Sequence, residues 1–207
     1  MKIKTAWRVL AFSAVFGLGL IGCGGDGNPS GGDNNTGGNN NGGGNNTGVG
    51  SVPIEKWMTT NLNVETADSW CYDDDPANCE MYGRLYTLEA AKVACLSVGK
   101  RLPTNQEWDA LVTAAGGSST AGKKLKSTSG WNNNGNGTND FGFSALPGGN
   151  RSSDGTFNFA DNIGEWWTAT DGGGNDAYHR YIHGSSDNVY ERNDRKRYGF
   201  SVRCVEG

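Results

Sequence analysis

The side chains of this chain best suited to chemistry are its cysteines, its two histidines and a scatter of carboxylates. Four cysteines, Cys71, Cys79, Cys95 and Cys204, fall in the C-terminal three quarters. A structural zinc site favours tight C-x₂-C pairs, and none is present. An even number of cysteines behind a secretory leader reads instead as disulfides, and four allow three pairings. Cys71 and Cys79 enclose YDDDPAN, a turn-rich stretch that favours a local bridge. That leaves Cys95 to Cys204, a closure for which chain entropy gives on the order of 4–5 kcal/mol. His179 and His183 stand four apart, a spacing that chelates a metal on a helix. Their surroundings are aromatic and strand-like, and four residues of strand span roughly 13 Å, so the two share a face without sharing an ion. Asp73, Asp74, Asp75, Asp154, Asp161, Glu165, Asp171 and Asp176 sit in oxygen-rich loops of the kind that suit Ca²⁺. Acidic turn residues ordinarily cap or hydrogen-bond, so no metal or cofactor is expected; a structural calcium is the one ion the composition could accommodate. Glu165 beside two tryptophans superficially fits a sugar-cleaving cleft, but the required carboxylate spacing is not legible, and no catalytic residue is assigned. No glycine-rich phosphate loop has the needed strand-to-helix context.

What remains is a surface of aromatic and guanidinium groups. Trp131, Trp167, Tyr181 and Arg192 are the candidate ligand-binding residues, as flat or bidentate groups on loops and a hairpin. Trp166 and Phe200 read as core. These groups need elements to position them. Thr87 caps a helix with apolar positions Leu88, Ala91, Cys95 and Val98, stopped by Gly99. Thr104-Asn105-Gln106-Glu107 is a capping box before Trp108, Leu111, Val112 and Ala115, and Gly116-Gly117 ends that helix. Beyond Gly116, residues 165–170 (EWWTAT) read as a strand, and Tyr178–His183 with Asn188–Arg192 as a hairpin. Tyr198–Val205 alternates as a last strand, with Tyr198, Phe200, Val202 and Cys204 on one face and Ser201 and Arg203 on the other. Trp131–Phe143 and Pro147–Phe159 read as long loops. Two helices followed by a small, loop-rich antiparallel sheet, stapled by disulfides, make an α+β domain. Binding groups are expected on the half after Gly116, since loops on a rigid scaffold usually carry them.

The rest of the chain delivers that domain. The 207 residues carry 18 basic and 22 acidic side chains, a net charge of −4 with no footprint for nucleic acid. Residues 1–22 open with Lys2, Lys4 and Arg8 and continue as an apolar 12-residue stretch, Val9–Leu20. That is too short to span a bilayer but suits a signal-peptide core. Residues 24–51 hold 12 Gly and 8 Asn, so 20 of 28 positions are one of two types. Such a tether cannot offset the entropy of its own ordering, and its r.m.s. span is roughly 30 Å. Residues 52–207 then form the folded domain, with six of the seven tryptophans.

Two resemblances add to this. Leu20-Ile21-Gly22-Cys23 resembles the lipobox of bacterial lipoproteins, which implies that Cys23 is lipidated and becomes the mature N-terminus. Gly24 in place of Asp implies the outer membrane, with the domain on its periplasmic or outer side. The ordered strings WMTTNLN (57–63), CYDDDPANCEMYGRLYT (71–87), GGSSTAGKKLKSTSGW (116–131), FGFSALPGG (141–149), GEWWTAT (164–170) and YGFSVRCV (198–205) resemble the Fibrobacter succinogenes major paralogous domain. That resemblance implies a C-type-lectin-like fold and no agreed activity. A more distant similarity reaches the formylglycine-generating sulfatase-modifying fold, through Arg101–Thr104 with Glu107-Trp108, Asn162–Trp166, and Gly199-Phe200 with Arg203-Cys204. Its oxidase chemistry needs a late cysteine pair, and Cys204 is the only late cysteine. The sugar-chelating tripeptides of calcium-dependent lectins are also missing. The expectation is therefore a lipid-anchored envelope protein presenting a non-catalytic recognition domain for a glycan or protein ligand. A glycan-acting enzyme and a purely structural envelope module are the alternatives.

Overall fold

A computed structural model describes residues 54–207. The expected signal peptide, the expected lipidation site Cys23 and the expected Gly/Asn tether lie outside the described residues. The domain contains helices α1 (Pro76–Tyr82), α2 (Leu88–Ser97), α3 (Asn105–Ala114) and α4 (Ala121–Leu125). A two-stranded sheet pairs β1 (Ser69–Trp70) with β2 (Leu85–Tyr86). The main sheet has β3 (Gly148–Arg151), β4 (Phe157–Ala160), β5 (Ile163–Gly173), β6 (Asp176–His183) and β7 (Val189–Arg195), in the order β4-β3-β5-β6-β7. Only β3 and β5 run parallel; the other pairs are antiparallel.

The two capped helices form as their end signals dictate. Thr87 accepts from the Ala90 amide, and Gly99 sits at φ +72 just past the end of α2. Thr104 and Glu107 complete the reciprocal capping box on α3. Glu107 also receives both terminal nitrogens of Arg101, at 2.8 and 2.6 Å, which holds its carboxyl below the usual range. Two further helices escape a reading of periodicity because they are short. Asp75 accepts from the Ala77 amide and Pro76 opens α1, so part of the expected 71–79 loop is helical. Gly83 ends α1 at φ +77, where a Cβ would lie 2.7 Å from Asn61 Cβ. The expected 147–159 loop contains the hairpin β3–β4.

The main sheet is covered on both faces, which creates two cores. Trp166, Ile182 and Val189 pack with Trp57, Trp108, Leu111, Leu125 and Phe143 on one side. Trp167, Ala177 and Phe200 pack against Leu88, Ala91, Ala94 and Cys95 of α2 on the other. Val98, expected on the buried stripe of α2, is the C-cap and is exposed, as are Val93 and Leu96. Both disulfides form as expected, Cys71–Cys79 at the start of α1 and Cys95–Cys204 between α2 and the C-terminal segment.

That C-terminal segment is the main departure from the expected elements. Residues 199–205 do not run as one strand of a ladder but bond to several neighbours in turn. Phe200 exchanges backbone hydrogen bonds with Tyr86, Gly199 with Arg151, and Val205 with Arg101. Ser201 donates to Glu165 and accepts from Trp167, while Leu62 and Met58 donate to Val202 and Cys204. A segment flanked on every side buries both its faces, so Ser201 and Arg203 are as buried as Phe200 and Val202. The alternation thus marks direction, not exposure.

Arg203 shows how such a position is tolerated. Its Nε donates to Asn61 Oδ1 at 2.7 Å, Nη1 to Met58 O and Phe143 O, and Nη2 to Ser144 O. The Phe143 ring lies 4.5 Å away. Among the described residues no carboxylate reaches it, and burial alone pushes its pKa down to about 9, so it stays charged at neutral pH. Arg203→Met keeps length and apolar bulk but strands three carbonyl oxygens and leaves Asn61 Oδ1 only its bond from Trp166. It should lower stability by about 3–5 kcal/mol. Urea denaturation measures this, and a loss under about 1 kcal/mol would mean the stranded oxygens find other donors.

Candidate functional site

Strand alternation carries Glu165 and Trp167 to one face of β5, and Ala177, His179 and Tyr181 to the same face of β6. The β6–β7 register adds Tyr190, Arg192 and Asp194. At the Trp167–Ala177 end, α2 covers this face. Towards Glu165, Tyr181 and Arg192 the face opens instead into a cavity of about 380 Å³. Asn150 and Ser152 of the β3 side, Phe159 of β4, Ile163 of β5, and Tyr198 and Phe200 complete its walls. Every lining residue comes from the half of the domain after Gly116.

A polar line crosses the cavity floor from strand to strand. Asn150 Nδ2 donates to Glu165 Oε1 at 3.0 Å. Glu165 Oε2 lies 3.8 Å from His179 Nδ1, too far for a hydrogen bond. His179 Nε2 lies 3.1 Å from Asp194 Oδ2, and Arg192 Nε stands 3.5 Å from that same oxygen. An ionised Asp194 only accepts, so Nε2 carries the proton in this contact. Two rings pack against the imidazole: Phe200 stacks at 4.4 Å and Tyr181 at 6.1 Å, and Tyr181 stacks in turn on Tyr190 at 4.7 Å. Two polar atoms of this floor, Asn150 Oδ1 and His179 Nδ1, are buried without a hydrogen-bond partner among the described residues.

The two carboxylates are pushed in opposite directions. Burial drives the Glu165 carboxyl up, and the nearby His179 and the Asn150 hydrogen bond offset this only in part. Asp194 is held down, chiefly by its hydrogen bond with His179. Their separation of environments resembles that of an acid/base pair, but an imidazole occupies the space between them where a scissile bond would have to lie.

The four candidate binding residues divide evenly. Tyr181 and Arg192 line the cavity, and the Arg192 side chain is 66% exposed. Trp131 and Trp167 are corrected from surface to core. Trp131 is 5% exposed; its Nε1 donates to Ser127 Oγ and Ala145 O, and the ammonium of Lys126 sits 5.5 Å over its ring. The Gly/Asn-rich loop spends its aromatic rings on the core, with Trp131 and Phe143 both buried. Trp167 is 0% exposed, donates to Tyr86 O at 2.7 Å and packs 4.5 Å from Phe200. Because the sheet is covered on both faces at that point, Trp166 and Trp167 face opposite ways and are both buried.

The site's centre was not among the candidates. Glu165 was singled out beside its tryptophans and His179 as a strand histidine, but Asp194 lies past the expected end of its strand. The hairpin register His179↔Arg192, once fixed by the turn, would have brought Asp194 alongside. Asn150 and Phe159 lay in expected loops and carried no signal. His179 and His183 share a face without meeting: His183 Nδ1 faces Ser185. Among the described residues no group of three or more His, Cys, Asp or Glu side chains is arranged to hold a metal. Several acidic residues open to calcium hold turns instead: Asp75 caps α1, Asp154 accepts from Thr156, and Asp171 accepts from Gly173 and pairs with Lys196.

The raised Glu165 carboxyl has a stability consequence. Its folded pKa lies above the ordinary 4.5, so protonated Glu165 carries no penalty at low pH. The penalty of ionising it grows as pH rises from 4.5 through the folded value. Glu165→Gln removes that ionisation, so its stability relative to the parent should increase from about pH 4 to about pH 7. Urea denaturation across that range checks the sign. A parent that gains on the variant with rising pH would show the carboxylate to be favourably held. Asp194, with its lowered pKa, works oppositely and stabilises above 3.8, losing its contribution as pH falls through its folded value.

No curated protein and no solved structure shows significant similarity to this chain. Residues 44–206 match the sequence profile of the Fibrobacter succinogenes major domain, which takes in the described domain through Glu206. The chain therefore belongs to the Fibrobacter succinogenes major domain family.

Proposed function

We propose that this chain is a lipid-anchored envelope protein whose tethered C-terminal domain is a non-catalytic recognition module. The cavity at the uncovered end of the main sheet is its binding site. The observation that carries this reading is the cavity itself, about 380 Å³ in volume, with aromatic walls and an Asn150–Glu165–His179–Asp194 floor. A concave site with few, converging polar groups is the usual form of a ligand pocket. The family resemblance implies a C-type-lectin-like scaffold for it. A glycan-acting enzyme is the second reading, favoured by the opposed shifts of Glu165 and Asp194. The imidazole wedged between them speaks for recognition instead.

Anchoring rests on Leu20–Cys23 behind the apolar leader, and Gly24 favours the outer membrane. Cys23→Ser should release the chain from the membrane fraction into the soluble one; unchanged fractionation would remove the anchor from this picture. For the site, the full-length chain is screened against a glycan array and against isolated envelope proteins. Tyr181→Ala should weaken any ligand so found by about 1–3 kcal/mol, in a chain that circular dichroism shows to be still folded. Turnover of a glycan by the purified chain would support the enzyme reading, and undiminished binding by the variant would move the site elsewhere.

A further inference from the structure

The cavity's details narrow the chemistry of what it holds. Phe159 is 55% exposed at the cavity wall, and its backbone sits at φ +67. An aromatic residue in the left-handed region is a strained exception, and strain of this kind gathers at binding sites. Its ring pairs with no other aromatic ring among the described residues, whereas Tyr181, His179 and Phe200 stack on one another. Phe159 therefore offers a free aromatic face that the fold itself does not use.

The polar groups that line the same cavity are mixed in kind. Among the described residues, Glu165 Oε2 accepts no hydrogen bond and Asp194 accepts only at Oδ2. Arg192 supplies a donor, and the Tyr181 and Tyr198 hydroxyls serve as either. Beneath them lie Asn150 and His179, both more than nine-tenths buried, each with an unpartnered polar atom. Groups that donate and accept side by side suit hydroxyls, each of which does both. Among the described residues the one Lys or Arg lining the cavity is Arg192, which already stands beside Asp194, so two carboxylates face an acidic ligand with no spare Lys or Arg to neutralise it.

We infer that this cavity binds the ring of a neutral, hydroxyl-rich sugar, stacked on Phe159 and hydrogen-bonded to Asp194, Glu165 and Arg192, without a metal ion. The inference rests on the recognition reading above and gives it a ligand class. A ring stacked on Phe159 presents its C–H face to the aromatic and its hydroxyl edge to the carboxylates. That division is how a sugar buries apolar and polar surface together.

Saturation-transfer NMR on the full-length chain tests it, with methyl glycosides of glucose, galactose and mannose and the methyl glycoside of glucuronic acid as probes. At least one neutral glycoside should bind, with transfer strongest at its ring C–H protons and unchanged by EDTA. Phe159→Ala, at an exposed position, should weaken that binding at least tenfold without lowering the melting temperature. Asp194→Asn should weaken it as well, and the glucuronoside should not bind. Failure of all neutral glycosides, preference for the glucuronoside, loss with EDTA, or binding undiminished in Phe159→Ala would each overturn the inference. If the neutral glycosides fail while a different ligand still depends on Tyr181, recognition at the cavity stands and only the sugar class falls.

Discussion

The domain is organised around a buried cation that no anion neutralises. Arg203 is held by one side-chain amide and three backbone carbonyls, and Asn61, which accepts from its Nε, also accepts from Trp166 Nε1 and donates to Tyr82 O. Stretches 58–61 and 143–144 thus meet at one guanidinium, and Asn61 ties residues 82 and 166 to it. A planar group with five fixed donors is suited to this, because each loop carbonyl is satisfied only in one place. Long irregular segments normally stay at the surface because their backbone needs partners. Here the guanidinium supplies those partners inside, and irregular chain becomes part of the core.

The candidate site follows from uneven coverage of one sheet. Helix α2 spans only part of the face that carries Trp167, and the rest of that face keeps polar residues that a helix could not have covered without stranding them. Stacked rings hold the imidazole where two carboxylates bracket it, and one of those carboxylates is buried at a cost. The floor is rigid because of the stacking, and polar because it faces an opening. Lys126 repeats the theme elsewhere, a buried ammonium donating to Gly184 O and Ser186 O and thereby fixing the β6–β7 loop.

The sequence was most informative where an interaction is local. Thr87, the Thr104–Glu107 box, Gly99 and the β6–β7 hairpin depend on residues within a few positions, and all appear where expected. The pairing of Cys95 with Cys204 became legible only by elimination. What could not be read was coverage: Trp131 and Trp167 carry the same side chain as a surface anchor, and only the layers on either side decide that they are core. The same holds for Ser201 and Arg203, whose alternation with Phe200 and Val202 is real but does not lead to solvent. Asn150 and Asp194 belong to the site through strand neighbours distant in sequence, and no local pattern marks them.

The backbone pairing at the domain's two ends has a mechanical meaning. Met58 donates to Cys204, Glu206 donates to Lys56, and Trp57 bridges Val205, so the chain enters and leaves the domain side by side. A pull between the two ends would unzip these contacts first, and the covalent link from Cys204 to Cys95 stops the tear one residue before Val205. On the entering side the first such stop is Cys95, so a pull there frees Met58 and Asn61 and loads the Arg203 node. The bridge therefore clasps the chain's exit and not its entry, and the domain resists a pull unequally from its two ends.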